Sequence, residues 1–276
     1  MPAVDPRSEI ARLSERLAAA VREAGELALG KFRAPLKSWT KDRHSIVCEA
    51  DIASNELLQD RLQAASSDIA WLSEESLDDP ARLQARRVWV VDPIDGTRAY
   101  IEGRPDWSIA AALVEAGRPV AAALFAPVED AMFLAVAGQG ATLNGGRIAT
   151  TPEREALRIA GPAGLLQRLQ SAELPFQPIR KIHSLALRFA RVAQGAIDAA
   201  LASGNSHDWD LAAADLLVHE AGGFLTTFAG QSLIYNRADP VHAPLVAAAR
   251  ASHRKLLPLL RDQRIHPVRM TKNQKG

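Results

Sequence analysis

The stretch Val88-Trp89-Val90-Val91-Asp92-Pro93-Ile94-Asp95-Gly96-Thr97 sets two carboxylates three positions apart behind a short β-branched and aromatic run. A run of that kind reads as a buried strand. Pro93 takes away a backbone donor and fixes φ, so the ladder is expected to end there. Gly96 permits the positive φ or close backbone approach of a tight turn. Two acids on a stiff turn can converge on one hard cation, and oxygen-only ligation suits magnesium. Asp also caps turns and helix starts often, and D-x-x-D alone favours that simpler use. The full D-P-I-D-G-T after an apolar strand is far more specific.

Three further segments carry acids: Lys41 to Asp51, Ser73-Glu74-Glu75-Ser76, and Trp209-Asp210 through Gly223, which reads W-D-L-A-A-A-D-L-L-V-H-E-A-G-G. Asp51 and Asp210 each fall near the start of an expected helix, where capping and the helix dipole suffice to explain a carboxylate. Paired acids such as Glu74-Glu75 at a strand end are usually solvated. In this order, however, the three segments and V-D-P-I-D-G-T together resemble the inositol monophosphatase superfamily. Its members are magnesium-dependent, often lithium-sensitive phosphomonoesterases. The resemblance runs from the first helix to about residue 250.

That resemblance implies the superfamily's layered α-β-α-β-α sandwich, an α+β fold, with residues 1–262 as one catalytic domain of two lobes sharing a site. It implies one Mg²⁺ on Glu74, Asp92 and the backbone carbonyl of Ile94, and a second on Asp92, Asp95 and Asp210. A third, weaker ion beside Glu74 is frequent, so two or three ions per site are expected. Glu74 and Thr97 would orient the attacking water, with Asp51 behind the threonine. Four carboxylates brought together would repel strongly if buried without cations, a conflict that divalent metals resolve. Ester cleavage then follows from positioning and charge neutralisation, with no phosphoenzyme. Backbone N–H groups of Gly96 and Thr97 are expected to hold a phosphate oxygen. The chain departs from the family pattern at Ser73 (usually glycine), Ile46 (often proline) and Cys48 (usually threonine). A free cysteine behaves as a small apolar residue, so Cys48 receives no catalytic role.

Substrate choice is expected to lie outside the metal cluster. Inositol monophosphatases typically read D-G-T-T-N-F, whereas this chain reads Asp95-Gly96-Thr97-Arg98-Ala99-Tyr100. That is closer to the D-G-T-[KR] of 3'(2'),5'-bisphosphate nucleotidases and of inositol-monophosphatase-like histidinol phosphatases. The glutamate that inositol enzymes carry seven positions before the W-D aspartate is Ser203 here, and their G-[ST]-A is His183-Ser184-Leu185. Arg98, with Arg188, would suit a second phosphate, although a solvated surface arginine explains Arg98 as simply. Gly96, Thr97, Arg98, Ser184 and Arg188 are therefore the expected substrate contacts. Trp209 stands where such histidinol phosphatases tend to have tyrosine. The leading expectation is hydrolysis of adenosine 3',5'-bisphosphate to AMP and phosphate, with inositol-1-phosphate as the alternative substrate. Histidinol phosphatase and a non-enzymatic, phospholigand-binding regulator rank lower.

Positioning such a site takes a substantial scaffold, and 276 residues, 47% hydrophobic and 24% charged, can supply one. A net charge of +1 gives no whole-protein basis for binding a nucleic-acid polymer or a membrane. The single cysteine excludes an internal disulfide, and no histidine pair has the H-E-x-x-H spacing of a zinc site. The first residues lack the charged and apolar regions of a signal peptide, and no apolar run reaches the roughly 20 residues of a membrane span. The expectation is a cytoplasmic enzyme that hydrolyses a small phosphorylated metabolite and works as a homodimer. Apolar periodicity predicts helices at 8–33, 50–65, 163–171, 184–192, 208–221 and 252–260. Strands are expected at 68–72, 107–114, 120–126, 132–137, 157–160, 197–201, 224–228 and 244–248. The glycine-rich 138–146 lacks both the P-loop and the dinucleotide-binding patterns and reads as hairpin chemistry around Asn144-Gly145. Residues 263–276 form a polar, basic tail.

Overall fold

The computed structural model describes residues 6–41, 46–64, 66, 68–152 and 154–261. Helix α1 (Pro6–Lys31) precedes an antiparallel pair, β1 (Ser38–Thr40) and β2 (Ile46–Cys48), and helix α2 (Glu49–Gln63). Strands β3 (Ala70–Ser73) and β4 (Arg87–Asp95) pair in parallel, and the short α3 (Thr97–Ile101) follows. An antiparallel meander comes next: β5 (Ser108–Glu115), β6 (Arg118–Ala126), β7 (Ala131–Val136), β8 (Gly140–Leu143) and β9 (Gly146–Ile148). The second half runs β10 (Leu157–Ala160), α4 (Ala163–Ser171), β11 (Phe176–Pro178), α5 (Leu185–Ala193), β12 (Ala199–Ala202) and β13 (Ser206–His207). It closes with α6 (Asp208–Glu220), β14 (Gly223–Thr227), β15 (Val241–His242), β16 (Leu245–Ala249) and α7 (Arg250–Arg261).

Strands β3 to β9 form a seven-stranded sheet in chain order, and β11-β10-β12-β16-β14 form a five-stranded one. Alternation along β4 shows how the layers arise, because successive side chains point to opposite faces. Trp89 and Val91 pack with Leu13, Leu17 and Leu58 of α1 and α2. Val88 and Val90 pack with Leu187, Phe189, Leu216 and Leu217 of α5 and α6. The five-stranded sheet lays Ala200 and Ala247 on that same middle layer, and Ile159, Leu201 and Val246 against Leu169 of α4 and Leu256 and Leu260 of α7. The order is α-β-α-β-α. Helix α6 lies between the two sheets and is buried along nearly its whole length, from Leu211 through Val218. Sheets on both sides of it explain why its apolar residues run around most of its circumference and not along one stripe.

Pro93 does not end the strand. Asp92 pairs with Ala110 and Asp95 with Ser108, so two residues of β4, Pro93 and Ile94, stand against one of β5, Ile109. That is a β-bulge, a place where a strand tolerates proline. In a regular strand, residues three apart face opposite ways. The extra residue returns Asp95 to the side of Asp92, toward α5 and α6, while Ile94 packs in the α1–α2 core. Strands β11, β13 and β15 carry too little pattern to be read from sequence. Residues 42–45, within the Lys41–Asp51 segment, and the tail 263–276 lie outside the described residues. Among the described residues no helix is long and apolar enough to cross a membrane.

Candidate active site

Parallel pairing sets Ser73 beside Val91, and the Glu74 amide continues it by donating to the Val91 carbonyl at 3.3 Å. Glu74 and Asp92 therefore leave the sheet at the same end. Carboxylate oxygens of Asp92, Asp95 and Asp210 all lie within 4.8 Å of one another. Glu74 stands outside that triad but lines the same pocket, of about 250 Å³, with Gly96, Thr97, Arg98, Lys181 and His183. A larger cleft of about 710 Å³ beside α2 and β3 holds none of the converging acids, so size does not mark the site.

Each acid is held differently. Asp210 occupies the third position of α6, and its Oδ2 accepts from the His207 amide at 2.6 Å. Asp51 repeats the device in α2, accepting from the Cys48 amide at 2.8 Å, and its other oxygen accepts from the Thr97 hydroxyl at 3.0 Å. The Thr97 hydroxyl also lies 3.0 Å from the Ile94 carbonyl, so its one proton serves either oxygen. Asp95 accepts from the Ser184 hydroxyl at 2.6 Å, the Ala186 amide at 2.6 Å and the Leu185 amide at 3.1 Å, at the start of α5. Asp92 is 1% exposed, and neither of its oxygens has a hydrogen-bond partner.

A buried carboxylate without a donor is costly, and crowding adds to the cost. Burial, then Glu74, Asp95 and Asp210, raise Asp92 well above the usual carboxylate range. Glu74 is raised likewise by burial and then by Asp210 and Glu75. Asp210 is pushed up to about 7 by burial and by Asp95. Asp51 goes to about 6 by burial, against the hydrogen bonds from Cys48 and Thr97. Burial also raises Asp95, opposed by its donors Ser184, Ala186 and Leu185 and by the Arg188 charge. A divalent cation answers this arrangement: it supplies Asp92's oxygens with a partner and the cluster with positive charge. The donor set is all oxygen, which fits magnesium.

Of the expected substrate contacts, Gly96, Thr97 and Arg98 line the pocket, whereas Ser184 and Arg188 do not. Ser184 is fully buried, donating to Asp95 while its oxygen accepts from the Leu187 amide at 2.9 Å and lies 3.0 Å from the Ser108 hydroxyl. Arg188 spends its guanidinium on carbonyls, two nitrogens on Ile182 (3.1 and 2.6 Å) and one on Leu201 (3.1 Å). Both brace the segment that grips Asp95, a role residue type alone does not disclose. Gly96 is required on two grounds. Its φ is +95°, and a Cβ there would come within 3.3 Å of the Ser184 nitrogen. Ser73 has no positive φ; its hydroxyl donates to Asn55 Oδ1 on α2 at 2.7 Å, so serine is accommodated. Cys48 is buried, and burial pushes its thiol up to about 12, leaving it inert.

Four residues escaped sequence reasoning. Lys41 donates to the Glu74 carbonyl and pairs with Glu75 at 3.1 Å. Ser108 backs Ser184. Asp106 holds His183, and Lys181 lines the pocket. Lys41 heads the recognised Lys41–Asp51 segment and was the one with a signal; the others are local only in space.

An acid-lined pocket at the end of β4, with a buried carboxylate that no protein donor meets, fits a hydrolase of the layered α+β sandwich class. Residues 9–264 match the inositol monophosphatase family, and the chain belongs to it. It is thus a phosphoric monoester hydrolase. The chain is 32% identical over 226 residues to "Nus factor SuhB" of Xylella fastidiosa, covering 76% of this chain and 80% of the relative. It is 35% identical over 198 residues to the 3'-phosphoadenosine 5'-phosphate phosphatase of Mycobacterium bovis, covering 69% and 72%. The crystal structure of the extragenic suppressor protein SuhB from Bartonella henselae superposes with a TM-score of 0.81 at 27% identity, covering 90% of this chain and 98% of that one.

Proposed function

We propose that the chain is a magnesium-dependent phosphatase that removes the 3'-phosphate of adenosine 3',5'-bisphosphate, with inositol-1-phosphate as the alternative substrate. The buried, partnerless Asp92 carboxylate between Asp95 and Asp210 carries the metal part of this reading. Asp92, Asp95 and Asp210, with Glu74 and the Ile94 carbonyl, would hold two or three ions. Magnesium, when bound, supplies charge neutralisation and Lewis acidity toward the phosphate. Thr97, its proton directed to Asp51, keeps its hydroxyl oxygen available to accept from the attacking water. Glu74, raised by burial and then by Asp210 and Glu75, would take that water's proton. The P–O ester bond breaks as the new one forms, and solvent protonates the departing alcohol.

The nucleotide is favoured by Arg98, which lines the pocket directly after the D-G-T turn, and by the likeness to a 3'-phosphoadenosine 5'-phosphate phosphatase. The reading includes residues 1–262 as one catalytic unit, a homodimer in the cytoplasm, and no nucleic-acid polymer or membrane as partner. The name "Nus factor" borne by a relative favours a second reading, a regulator that binds a phosphorylated ligand or a protein. The complete acid set supports the enzyme instead. The test is phosphate release from adenosine 3',5'-bisphosphate, inositol-1-phosphate, histidinol phosphate and fructose 1,6-bisphosphate, with magnesium and with chelator, ranked by kcat/KM. Adenosine 3',5'-bisphosphate should lead; release that survives chelation, or another substrate in first place, would overturn the corresponding half of the reading.

A further inference from the structure

We propose that Lys181 and His183 form an anion subsite that selects phosphomonoesters bearing a second phosphate on the alcohol being released. This rests on the phosphatase reading of the pocket and adds residues that reading does not use.

The pocket carries both signs of charge. Glu74, Asp92, Asp95 and Asp210 line it, and so do Arg98, Lys181 and His183. Carboxylates repel a phosphate unless cations intervene, so the scissile group belongs with the acids and their metal. Lys181 and His183 remain for a different anion. Lys181 is exposed and makes no ion pair with a described residue; Glu102, which feels its charge, is itself exposed and paired with Arg104 at 2.6 Å. Its ammonium is therefore available to a ligand.

His183 is set in place by Asp106. Asp106 Oδ2 lies 2.7 Å from the His183 amide nitrogen and 2.6 Å from ring Nδ1, and the Asp106 carbonyl accepts from the Ser184 amide at 3.1 Å. With Nδ1 engaged, Nε2 is the ring nitrogen left to meet a ligand. A ring oriented by a carboxylate on one nitrogen presents the other in a defined direction. The same short segment binds Asp95 through Ser184, Leu185 and Ala186. The subsite and the metal ligand are thus fixed to one another by continuous backbone, which sets the spacing between a substrate's two phosphates.

The experiment uses matched pairs differing only in the second phosphate: adenosine 3',5'-bisphosphate with adenosine 3'-monophosphate, and inositol 1,4-bisphosphate with inositol-1-phosphate. Wild-type protein should prefer the bisphosphate of whichever pair it hydrolyses. Lys181→Met should cut that preference about tenfold, as loss of one charge-assisted contact would. His183→Ala should cut it in the same sense, and Lys181→Arg should retain it. The magnesium concentration for half-maximal rate should not move. Equal losses on both members of a pair, a preference that survives Lys181→Met, or a wild type without preference would each overturn the subsite. If neither pair is turned over, the phosphatase reading fails separately. Calorimetric affinities for the two adenosine nucleotides then decide the subsite: a tighter bisphosphate weakened by Lys181→Met upholds it, and equal affinities overturn it.

Discussion

Replacing Asp92 by asparagine should make the metal-free protein more stable while abolishing its activity. Asp92 is buried with neither oxygen hydrogen-bonded, and its carboxyl is raised well above 3.8 by burial and four neighbouring acids. Burying that carboxyl unpaired among other acids penalises folding of the metal-free protein, by about 3 kcal/mol or more for an unsatisfied group that would otherwise be charged. Asparagine has nearly the shape of the protonated acid and no charge to suppress. Relaxation and water entry reduce the gain, so about 2 kcal/mol is expected, or roughly 4–8 °C in Tm for a chain of this size. Magnesium should reverse the order. A ligand at 100 times its Kd adds about 2.7 kcal/mol to the wild type, and the variant, lacking the shared ligand, should gain far less. Thermal denaturation at pH 7 with chelator and with saturating magnesium reads both effects. A variant less stable than wild type in chelator, or an equal magnesium response in both proteins, would refute the reasoning.

Three further outcomes are expected. Asp51 and Asp210, raised from 3.8 to about 6 and about 7, hold protons in the folded state that the unfolded chain releases. Metal-free stability should therefore be full below about pH 4 for these groups and be lost as pH rises through 6 to 7, and denaturant midpoints against pH in chelator measure it. Ser184→Ala removes the hydroxyl that donates to Asp95 and should raise the magnesium requirement or lower kcat by about 10–100-fold with the fold retained, read from magnesium titrations of the rate. Arg98→Thr should lower kcat/KM for adenosine 3',5'-bisphosphate by roughly tenfold and leave inositol-1-phosphate little changed, whereas equal losses would assign Arg98 to the turn or the shared phosphate site.

The acids were legible because each sits where a chain element begins or ends, and local pattern marks such places. Asp51 and Asp210 both follow a helix start, and Asp92 closes an apolar run. The strands of the meander were legible for the same reason, since both faces of their sheet are covered and their residues are almost continuously apolar. What the acids face was not. Ser184 and Arg188 have side chains suited to a phosphate, yet their partners are Asp95 and two carbonyls reached only through the packing of α5. Asp106 and His183, 77 positions apart, meet for the same reason. Pro93 misled by a sound rule, because the bulge that admits it depends on the register of β5.

The bulge also turns chain length at this point into a question of parity. A strand counts in twos, and the one uncounted residue between Asp92 and Asp95 decides on which side the second acid emerges. Inserting one residue beside Ile94, with the bulge kept, would leave every side chain of the cluster in the sequence and still send Asp95 toward α1 and α2, into a core of Leu, Val and Trp. No substitution at a neighbouring site could compensate, since the fault would lie in counting and not in composition. This dipeptide should tolerate exchange of residue type more readily than insertion of a further residue.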